Sequence, residues 1–349
     1  MTAKKIVLLL TIAFSMFAYS TKLLAQCKTV RQCFLQSCDV LPPATECSNP
    51  GGVPNGLVCS WSTYRCIPTK PIFCLTCMLS SPAPAQATQP INLANGNTYI
   101  TQTDVAVPGL GGALSLVRTW NSLAPSSGTP GIFGLNWRSN FEERITTGSD
   151  GLFEYARGNG DVWTFGFRDF GEDSSTFYYS LAGPSNGDES LKLGGSTWTI
   201  TYKSGEARTF DMATGSLRTI VDRNGNTTQL SYDGANRVVT VTDAAGRHLY
   251  FTYASGSSYL VTGVSSDFGI SLSYSYDGSG RLTGVTKPDS TTLSFEYNSQ
   301  SLITAVKDSD NKVLESHTYD SQKRGLTSSR ANGVEAVTVS YPKPEPPTP

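Results

Sequence analysis

The sequence predicts an all-β protein whose main element is a long antiparallel sheet of repeated units. Tyrosines in the last third of the chain recur at intervals of 21, 23, 21, 22 and 22 residues, and a constant period of this size indicates a repeat architecture. Each tyrosine ends a run of alternating apolar and polar residues, which is typical of a half-buried strand. The chain also contains 33 glycines, as a protein with many turns requires. The predicted repeat core consists of Tyr232, Tyr253, Tyr276, Tyr297, Tyr319 and Tyr341.

Each repeat has room for two strands joined by turns. In one repeat, residues 281–286 lead into a turn at 287–290 and residues 291–297 return, so that Leu293 and Phe295 share one face with the tyrosine. A single hairpin is marginal in water, so each repeat is expected to depend on its neighbours. We therefore predict that the tyrosines stack at equivalent positions and form a shared inner layer.

Strand-like alternation also precedes the clear repeats. Residues 153–155 and 163–167 alternate on either side of a glycine-rich turn, and residues 198–202 and 207–210 form a second predicted hairpin. No convincing helix is visible after the first 25 residues. The sequence therefore predicts one continuous antiparallel sheet over residues 90–341, without a helix longer than two turns.

Two seven-residue segments carry a specific motif. Residues 276–282 read YDGSGRL and residues 232–238 read YDGANRV; both resemble the YD repeat of Rhs proteins, which is also found in the teneurin ectodomain. Four upstream segments resemble the domain that opens the repeat region of bacterial Rhs proteins: PINLANGN at 90–97, VPGL at 107–110, LVRTWNS at 116–122 and GLNW at 134–137. The chain is therefore identified as a short or truncated member of the Rhs/YD-repeat family.

The resemblance implies a sheet that spirals into a hollow shell, which in toxin-bearing members encloses a C-terminal effector domain. About six clear repeats are present here and no DPxGL-like segment ends them, so we expect a curved, partial spiral shell. The predicted division is a signal peptide (1–25), a cysteine-rich disulfide module (26–78), a Pro/Ala linker (79–90), an Rhs N-terminal β domain (91–210), YD repeats (211–341) and a Pro-rich tail (342–349).

The start of the chain resembles a secretory signal. Two lysines precede an apolar stretch at residues 6–19, and Ala25 places a small residue at a cleavage site. The stretch is short for a membrane span. Lipidation at Cys27 is the alternative, although Gln26 is a poor residue before a lipidated cysteine. We expect an exported protein, secreted or held in the cell envelope, that is cleaved after Ala25.

All eight cysteines lie between residues 27 and 77. An even number in a short exported segment indicates a disulfide framework, which for four bridges allows 105 connectivities. A segment of this size buries too little apolar surface to be stable unaided. A redox pair or half of a zinc site at residues 74–77 is the alternative, but the segment has no histidine and no second CxxC. We predict four disulfides and no metal among Cys27, Cys33, Cys38, Cys47, Cys59, Cys66, Cys74 and Cys77.

Composition and side chains do not indicate catalysis or nucleic-acid binding. The 27 basic and 28 acidic residues give a net charge of −1, so no nucleic-acid partner is predicted. His248 and His317 lie in repeat strands without a nucleophile motif. Glu142 and Glu143, adjacent on a predicted strand, would point to opposite faces rather than converge as a glycosidase pair. We predict no enzyme, no cofactor and no metal site.

Two polar segments resemble calcium loops but lack the bidentate glutamate, namely residues 222–226 and 308–311. Ordinary β-turns explain both segments. The repeat arginines Arg237 and Arg281 are expected to pair with acidic or carbonyl groups between strands.

Two classes of function remain. The first is an exported, non-enzymatic scaffold whose β surface binds a carbohydrate or protein partner at a cell surface, an idea that rests on the family resemblance. The alternative is a truncated or split part of a toxin-enclosing shell that lacks its effector. In both cases the exposed edge of the repeat sheet is expected to invite self-association or another strand.

Overall fold

The computed structural model describes residues 47–48, 58–59, 90–109, 114–124, 131–148, 152–170, 176–183, 189–255 and 258–341. The regular secondary structure of these residues is β-strand apart from one turn of 3₁₀ helix at Ala331–Gly333, with no α-helix among them, which confirms the all-β prediction. None of the helical structure in this part of the chain is long and apolar enough to cross a membrane. The predicted signal peptide and proline-rich tail lie outside the described residues.

Only a small part of the predicted disulfide module is described. Strand β1 (Cys47–Ser48) pairs antiparallel with β2 (Val58–Cys59), and the backbone register places Cys47 opposite Cys59. The other six cysteines lie outside the described residues. The four disulfides therefore stay a prediction.

One long antiparallel sheet contains most of the described chain. Its strands follow one another in chain order, each hydrogen-bonded to the one before it. Among the described residues no ladder joins the last strand to the first, so the sheet is open and the predicted partial shell is confirmed. The sheet comprises β6 (Arg144–Thr147), β7 (Phe153–Ala156), β8 (Val162–Phe170), β9 (Thr176–Gly183), β10 (Ser190–Gly194), β11 (Thr197–Thr201), β12 (Ala207–Asp211), β13 (Leu217–Val221), β14 (Thr227–Tyr232), β15 (Val238–Thr242), β16 (His248–Tyr253), β17 (Val261–Ser266), β18 (Ser271–Tyr276), β19 (Leu282–Thr286), β20 (Thr292–Tyr297), β21 (Ile303–Lys307), β22 (Val313–Tyr319), β23 (Gly325–Arg330) and β24 (Val334–Thr338).

The part of the sheet that precedes the repeats curls back on itself. Arg144 in β6 forms an isolated bridge with Ser216, just before β13, and the amide of Ile145 donates to the carbonyl of Gly215 at 2.9 Å. Large side chains that are fully or almost fully buried fill this curl, among them Tyr155, Phe165, Leu191, Trp198 and Phe210. The sheet thus begins before the clear repeats, as the alternation predicts.

Alternation along each repeat strand decides which face is buried. In β18, Leu272 and Tyr274 are buried, whereas the serines between them are exposed. Tyr274 lies opposite Val285 in the next strand, and Val285 lies opposite Leu293 in the strand after that. One face of the repeat sheet is therefore apolar across consecutive strands, and the other face is polar.

Three strands between residues 99 and 139 form a separate sheet, so the prediction of one continuous sheet over residues 90–341 is wrong for this part. The strands are β3 (Tyr99–Val107), β4 (Leu114–Asn121) and β5 (Trp137–Ser139). The reason lies in β4, where side chains on both faces are shielded from solvent. A strand of this kind cannot serve as a wall with one face in water and packs as an inner layer.

The three-stranded sheet, called the N-terminal sheet below, packs on the apolar face of the repeats. The ring centre of Trp137 lies 5.3 Å from that of Phe295, and the ring centre of Phe133 lies 4.9 Å from that of Tyr274. Aromatic pairs at these separations add to the stabilisation from apolar burial. The two sheets therefore share one core.

Candidate functional site

The aspartate of the YD motif closes the turn that follows it. After Tyr276, Asp277 Oδ1 accepts hydrogen bonds from the backbone N–H groups of Ser279 at 2.9 Å and Arg281 at 3.0 Å. Gly280 has a φ of 72°, a left-handed conformation that favours glycine and completes a three-residue hairpin loop. The corresponding side chain accepts the same two bonds in six further turns, at Asp222, Asp233, Asp243, Asn298, Asp308 and Asp320.

The two segments that resemble calcium loops are turns of this type. Oδ1 of Asp222 and Oδ1 of Asp308 are engaged by the backbone N–H groups two and four residues on. In the described part of the chain, no three His, Cys, Asp or Glu side chains are grouped so as to hold a metal ion.

The arginine of the motif pairs with the aspartate of its own turn. Arg281 Nε donates to Asp277 Oδ2 at 2.6 Å, and Arg237 Nε donates to Asp233 Oδ2 at 2.7 Å. The expected pairing between strands is therefore corrected to an ion pair within one loop, because the two ends of the loop meet at its base. The expected pairing with a carbonyl group is present as well, since Arg237 donates to the Ser258 carbonyl at 2.8 Å. Arg247, at the same position of its own turn, donates to the Pro108 carbonyl at 2.9 Å. The backbone N–H and guanidinium of Arg237 hold the pKa of Asp233 below its usual value.

The structure places the six repeat tyrosines at equivalent positions. Each is half-buried, and each hydroxyl donates to the carbonyl of the first residue in the strand that opens its repeat. The pairs are Tyr232 with Leu217 at 2.6 Å, Tyr253 with Val238 at 2.7 Å, Tyr276 with Val261 at 2.7 Å, Tyr297 with Leu282 at 2.8 Å, Tyr319 with Ile303 at 2.6 Å and Tyr341 with Gly325 at 2.7 Å.

The tyrosines border the core rather than form its innermost layer. Residues two positions earlier, such as Tyr274 and Phe295, are more fully buried. Partial burial still raises the pKa of Tyr297 and of Tyr341 to about 12. Each repeat tyrosine therefore acts as a half-buried hydrogen-bond donor at or just beyond the end of a strand.

An arginine from an upstream turn covers the tyrosine of the next repeat. Arg281 lies over the ring of Tyr297 at 5.1 Å, and Arg324 lies over Tyr341 at 4.0 Å. Cation–π contacts of this geometry are favourable. Arg237 makes the same contact with Tyr253 at 4.6 Å, and Arg218, which lies in β13 rather than in a turn, contacts Tyr232 at 4.7 Å. The YD turns that carry Arg237, Arg281 and Arg324 thus stabilise both themselves and the next repeat.

A buried ion pair attaches the N-terminal sheet to the repeats. Arg118, which is 0% exposed, forms two hydrogen bonds with the carboxylate of Asp104, and Tyr274 Oη donates to the same carboxylate at 2.7 Å. The guanidinium lies 4.6 Å from the ring centre of Trp137. Burial and the neighbouring carboxylate raise the pKa of Tyr274 well above its usual value. Sequence analysis did not single out Arg118; its position between buried residues of an apolar strand is the signal that could have found it.

The upstream GLNW segment contacts a YD turn directly. The N–H of Leu135 donates to the carbonyl of Gly280 at 3.1 Å. A Cβ at Gly134 would lie 2.7 Å from that carbonyl oxygen, so no residue other than glycine fits without a shift. Gly134 also has a φ of 98°, which disfavours other residues. This segment and the YD turn are therefore parts of one interface.

Comparison with family models matches both regions. A domain of unknown function, DUF6531, matches residues 88–165, and the RHS repeat matches residues 210–248, 260–292 and 276–313. The repeat region of the chain is built of RHS repeats. The repeat matches fall on the strands and turns described above, and no curated protein matches this Rhs chain.

Several solved structures are similar at low identity. The crystal structure of TcdB2-TccC3 is 16% identical over 67% of this chain and 12% of that chain, with a TM-score of 0.28. The crystal structure of TcdB2-TccC3-Cdc42 is 15% identical over 56% and 12%, with a TM-score of 0.28. The Photorhabdus luminescens Tc holotoxin pore is 13% identical over 69% and 14%, with a TM-score of 0.26. The Rhs chain thus matches a small share of each of these longer chains.

The two histidines of this Rhs chain differ in exposure and in their neighbours. His248 Nδ1 lies 2.9 Å from Asp267 Oδ2, and its half-exposed ring stacks on Tyr250 at 5.6 Å. His317 is buried in β22, opposite Ser328 of the next strand. Both histidines lie within strands, as the sequence indicated.

The expectation that Glu142 and Glu143 alternate along a strand is wrong. Both lie between β5 and β6, where the chain turns from the N-terminal sheet into the long sheet. Glu142 accepts hydrogen bonds from the N–H groups of Ile132 at 2.7 Å and Ser139 at 2.8 Å, and burial raises its pKa. Glu143 instead binds the hydroxyl of Tyr155 and the guanidinium of Arg208. Separate sets of partners therefore hold the two carboxylates.

Proposed function

We propose that this Rhs chain is an exported, non-enzymatic scaffold whose exposed sheet face binds a glycan or a protein at a cell surface. One observation carries the proposal: the chain's own N-terminal sheet covers the apolar face of the repeats. The buried contacts between Asp104 and Tyr274 and between Trp137 and Phe295 close that face. The opposite face is the one left for a partner.

The exposed face is rich in hydroxyl groups and carries an aromatic side chain. Ser271, Ser273 and Ser275 project from β18 on this face. Tyr250 is 40% exposed, and its ring is stacked on that of His248. The aromatic ring offers an apolar contact to a ligand, and the neighbouring hydroxyl groups offer hydrogen bonds. This composition suits a polar partner such as a carbohydrate.

The test is binding of labelled protein to intact cells. We expect binding to fall at least tenfold in Tyr250→Ala, which removes the exposed ring, and to be unchanged in Met212→Ala, which removes another exposed apolar side chain on a turn. Periodate treatment of the cells would abolish binding to a glycan, whereas protease treatment would abolish binding to a protein. Equal binding by all variants would contradict the proposal.

The edge of the long sheet favours a second candidate function, a part of an effector-enclosing shell. β24 is paired with β23 on one side, and four of its five residues are exposed. Such an edge accepts another strand. Light scattering with a separately encoded chain of further repeats would show a one-to-one complex if this candidate is correct.

A further inference from the structure

A cavity of about 560 Å³ lies where three parts of the chain meet. Strand β5 and the connection that follows it contribute Arg138 and Glu142, β6 contributes Arg144, and the first YD turn contributes Asn236. This volume lies within the range of small-molecule sites and greatly exceeds the space that one water needs. Five charged side chains line the cavity beside apolar ones such as Phe141 and Val238, so the cavity differs from a dry packing defect.

Arg144 is the arginine of this cavity that forms no ion pair with a described residue. The two other arginines that line it are paired, Arg138 with Glu142 at 3.9 Å and Arg237 with Asp233 at 2.7 Å. Within the described ranges, the Arg144 guanidinium forms neither an ion pair nor a hydrogen bond. Arginine binds a carboxylate through two parallel hydrogen bonds. An anionic group on a ligand would supply the missing partner.

The same cavity also contains hydrogen-bond acceptors. Glu142 and Glu143 both line it, and each carboxylate has about four acceptor positions, of which the described partners use only some. Ser216 and Asn236 bond to each other at 2.9 Å and retain further hydrogen-bonding capacity. Tyr259, 49% exposed, contributes an aromatic ring to the lining. Acceptors of this kind match the hydroxyl groups of a ligand.

We propose that this cavity binds a sugar acid, a small ligand with one carboxylate and several hydroxyl groups. Arg144 pairs with the ligand carboxylate, and Glu142 and Glu143 accept hydrogen bonds from its hydroxyls. A simple anion would be repelled by the two glutamates without a compensating bond, and a neutral sugar would leave Arg144 unpaired. The site is separate from the exposed face of the repeats and does not depend on the proposed role of that face.

Calorimetry on the full chain with glucuronate, glucose and acetate tests this inference. We expect glucuronate to bind and to raise the melting temperature, and glucose and acetate to bind at least tenfold more weakly. Arg144→Gln should weaken glucuronate binding at least tenfold. Arg223→Gln, which removes an exposed charge from a turn, should leave binding unchanged.

Circular dichroism of the unliganded variants confirms that they are folded, and Arg144→Lys, which keeps the charge but loses the two-bond geometry, replaces Arg144→Gln if that variant does not fold. Acetate binding as tight as that of glucuronate would overturn the sugar-acid assignment. Absence of glucuronate binding, or equal binding by the Arg144 variant, would overturn the site. Loss of cell binding in Tyr250→Ala would leave these results untouched, so the two proposals fail independently.

Discussion

The guanidinium of Arg281 lies 5.1 Å from the ring centre of Tyr297, the tyrosine of the next repeat. The same guanidinium forms an ion pair with Asp277 of its own turn. One side chain therefore couples two successive repeats. In a repeat protein, stability depends on such contacts between neighbours, so the arginine of the YD motif contributes to cohesion as well as to the turn.

Replacing Arg281 should measure this coupling. We expect Arg281→Gln to lower the free energy of unfolding by about 1 kcal/mol, since it loses a cation–π contact and a partly exposed ion pair. Arg223→Gln, on an exposed turn, should change it by less than about 0.5 kcal/mol. Urea denaturation gives both values, and equal effects of the two substitutions would contradict the coupling.

The hydroxyl and the ring of Tyr276 should make separate contributions to the free energy of unfolding. Tyr276→Phe removes the hydrogen bond to the Val261 carbonyl and should cost about 1 kcal/mol, whereas Tyr276→Ala should cost about 3–4 kcal/mol. Tyr250→Phe is the matched control because that ring is 40% exposed and should be neutral. If Tyr276→Phe leaves the melting temperature unchanged, the hydroxyl is not a structural donor.

The buried pair of Asp104 and Arg118 should behave as a unit. Arg118→Met alone leaves the Asp104 carboxylate uncompensated, with 2% of its side chain exposed, and should destabilise the protein by about 3–5 kcal/mol. Adding Asp104→Leu should recover much of that loss, because no buried charge then remains. Guanidinium denaturation of both single variants and the double variant forms the cycle. Strictly additive losses would refute the pairing.

Alkaline pH should unfold the protein within a defined window. Burial raises the pKa of Tyr297 and of Tyr341 to about 12 in the folded state, from an ordinary value of 10.0. The folded state thus holds these protons more tightly than the unfolded state does. The contribution of the two tyrosines to the free energy of unfolding is therefore complete below pH 10 and is lost as pH rises through about 12. Tyrosinate absorbance and circular dichroism should change together there. Complete tyrosine ionisation near pH 10 with intact β-structure would contradict this expectation.

The last described strand should mediate self-association. Val334 in β24 is 59% exposed, and an uncovered edge strand accepts a second copy. We expect light scattering to show a mass that grows with concentration for the native chain. Val334→Lys, which places a charge on the edge, should remain monomeric. A native chain that is monomeric at all concentrations would rule out this contact.

Local patterns in the sequence determined the repeat architecture. The period, the alternation and the YD turns depend on residues only a few positions apart, as when Asp277 binds the N–H groups two and four residues further on. Such short-range chemistry forms the same turn wherever it recurs. For this reason the strands around Tyr276 and Tyr297 could be predicted from sequence, and the family could be identified from their motifs.

Only the tertiary structure decided how the face of that sheet is covered. Tyr274 binds Asp104 across a separation of 170 residues, and no local pattern links the two positions. Buried charge at Arg118 and the placement of Glu142 and Glu143 follow from the same packing of the N-terminal sheet on the repeats. Over a few residues, the sequence of a strand that is shielded on both faces differs little from that of a strand shielded on one face. The difference in burial arises because another part of the chain, distant in sequence, packs on one of the two strands. That packing forms only when the chain folds.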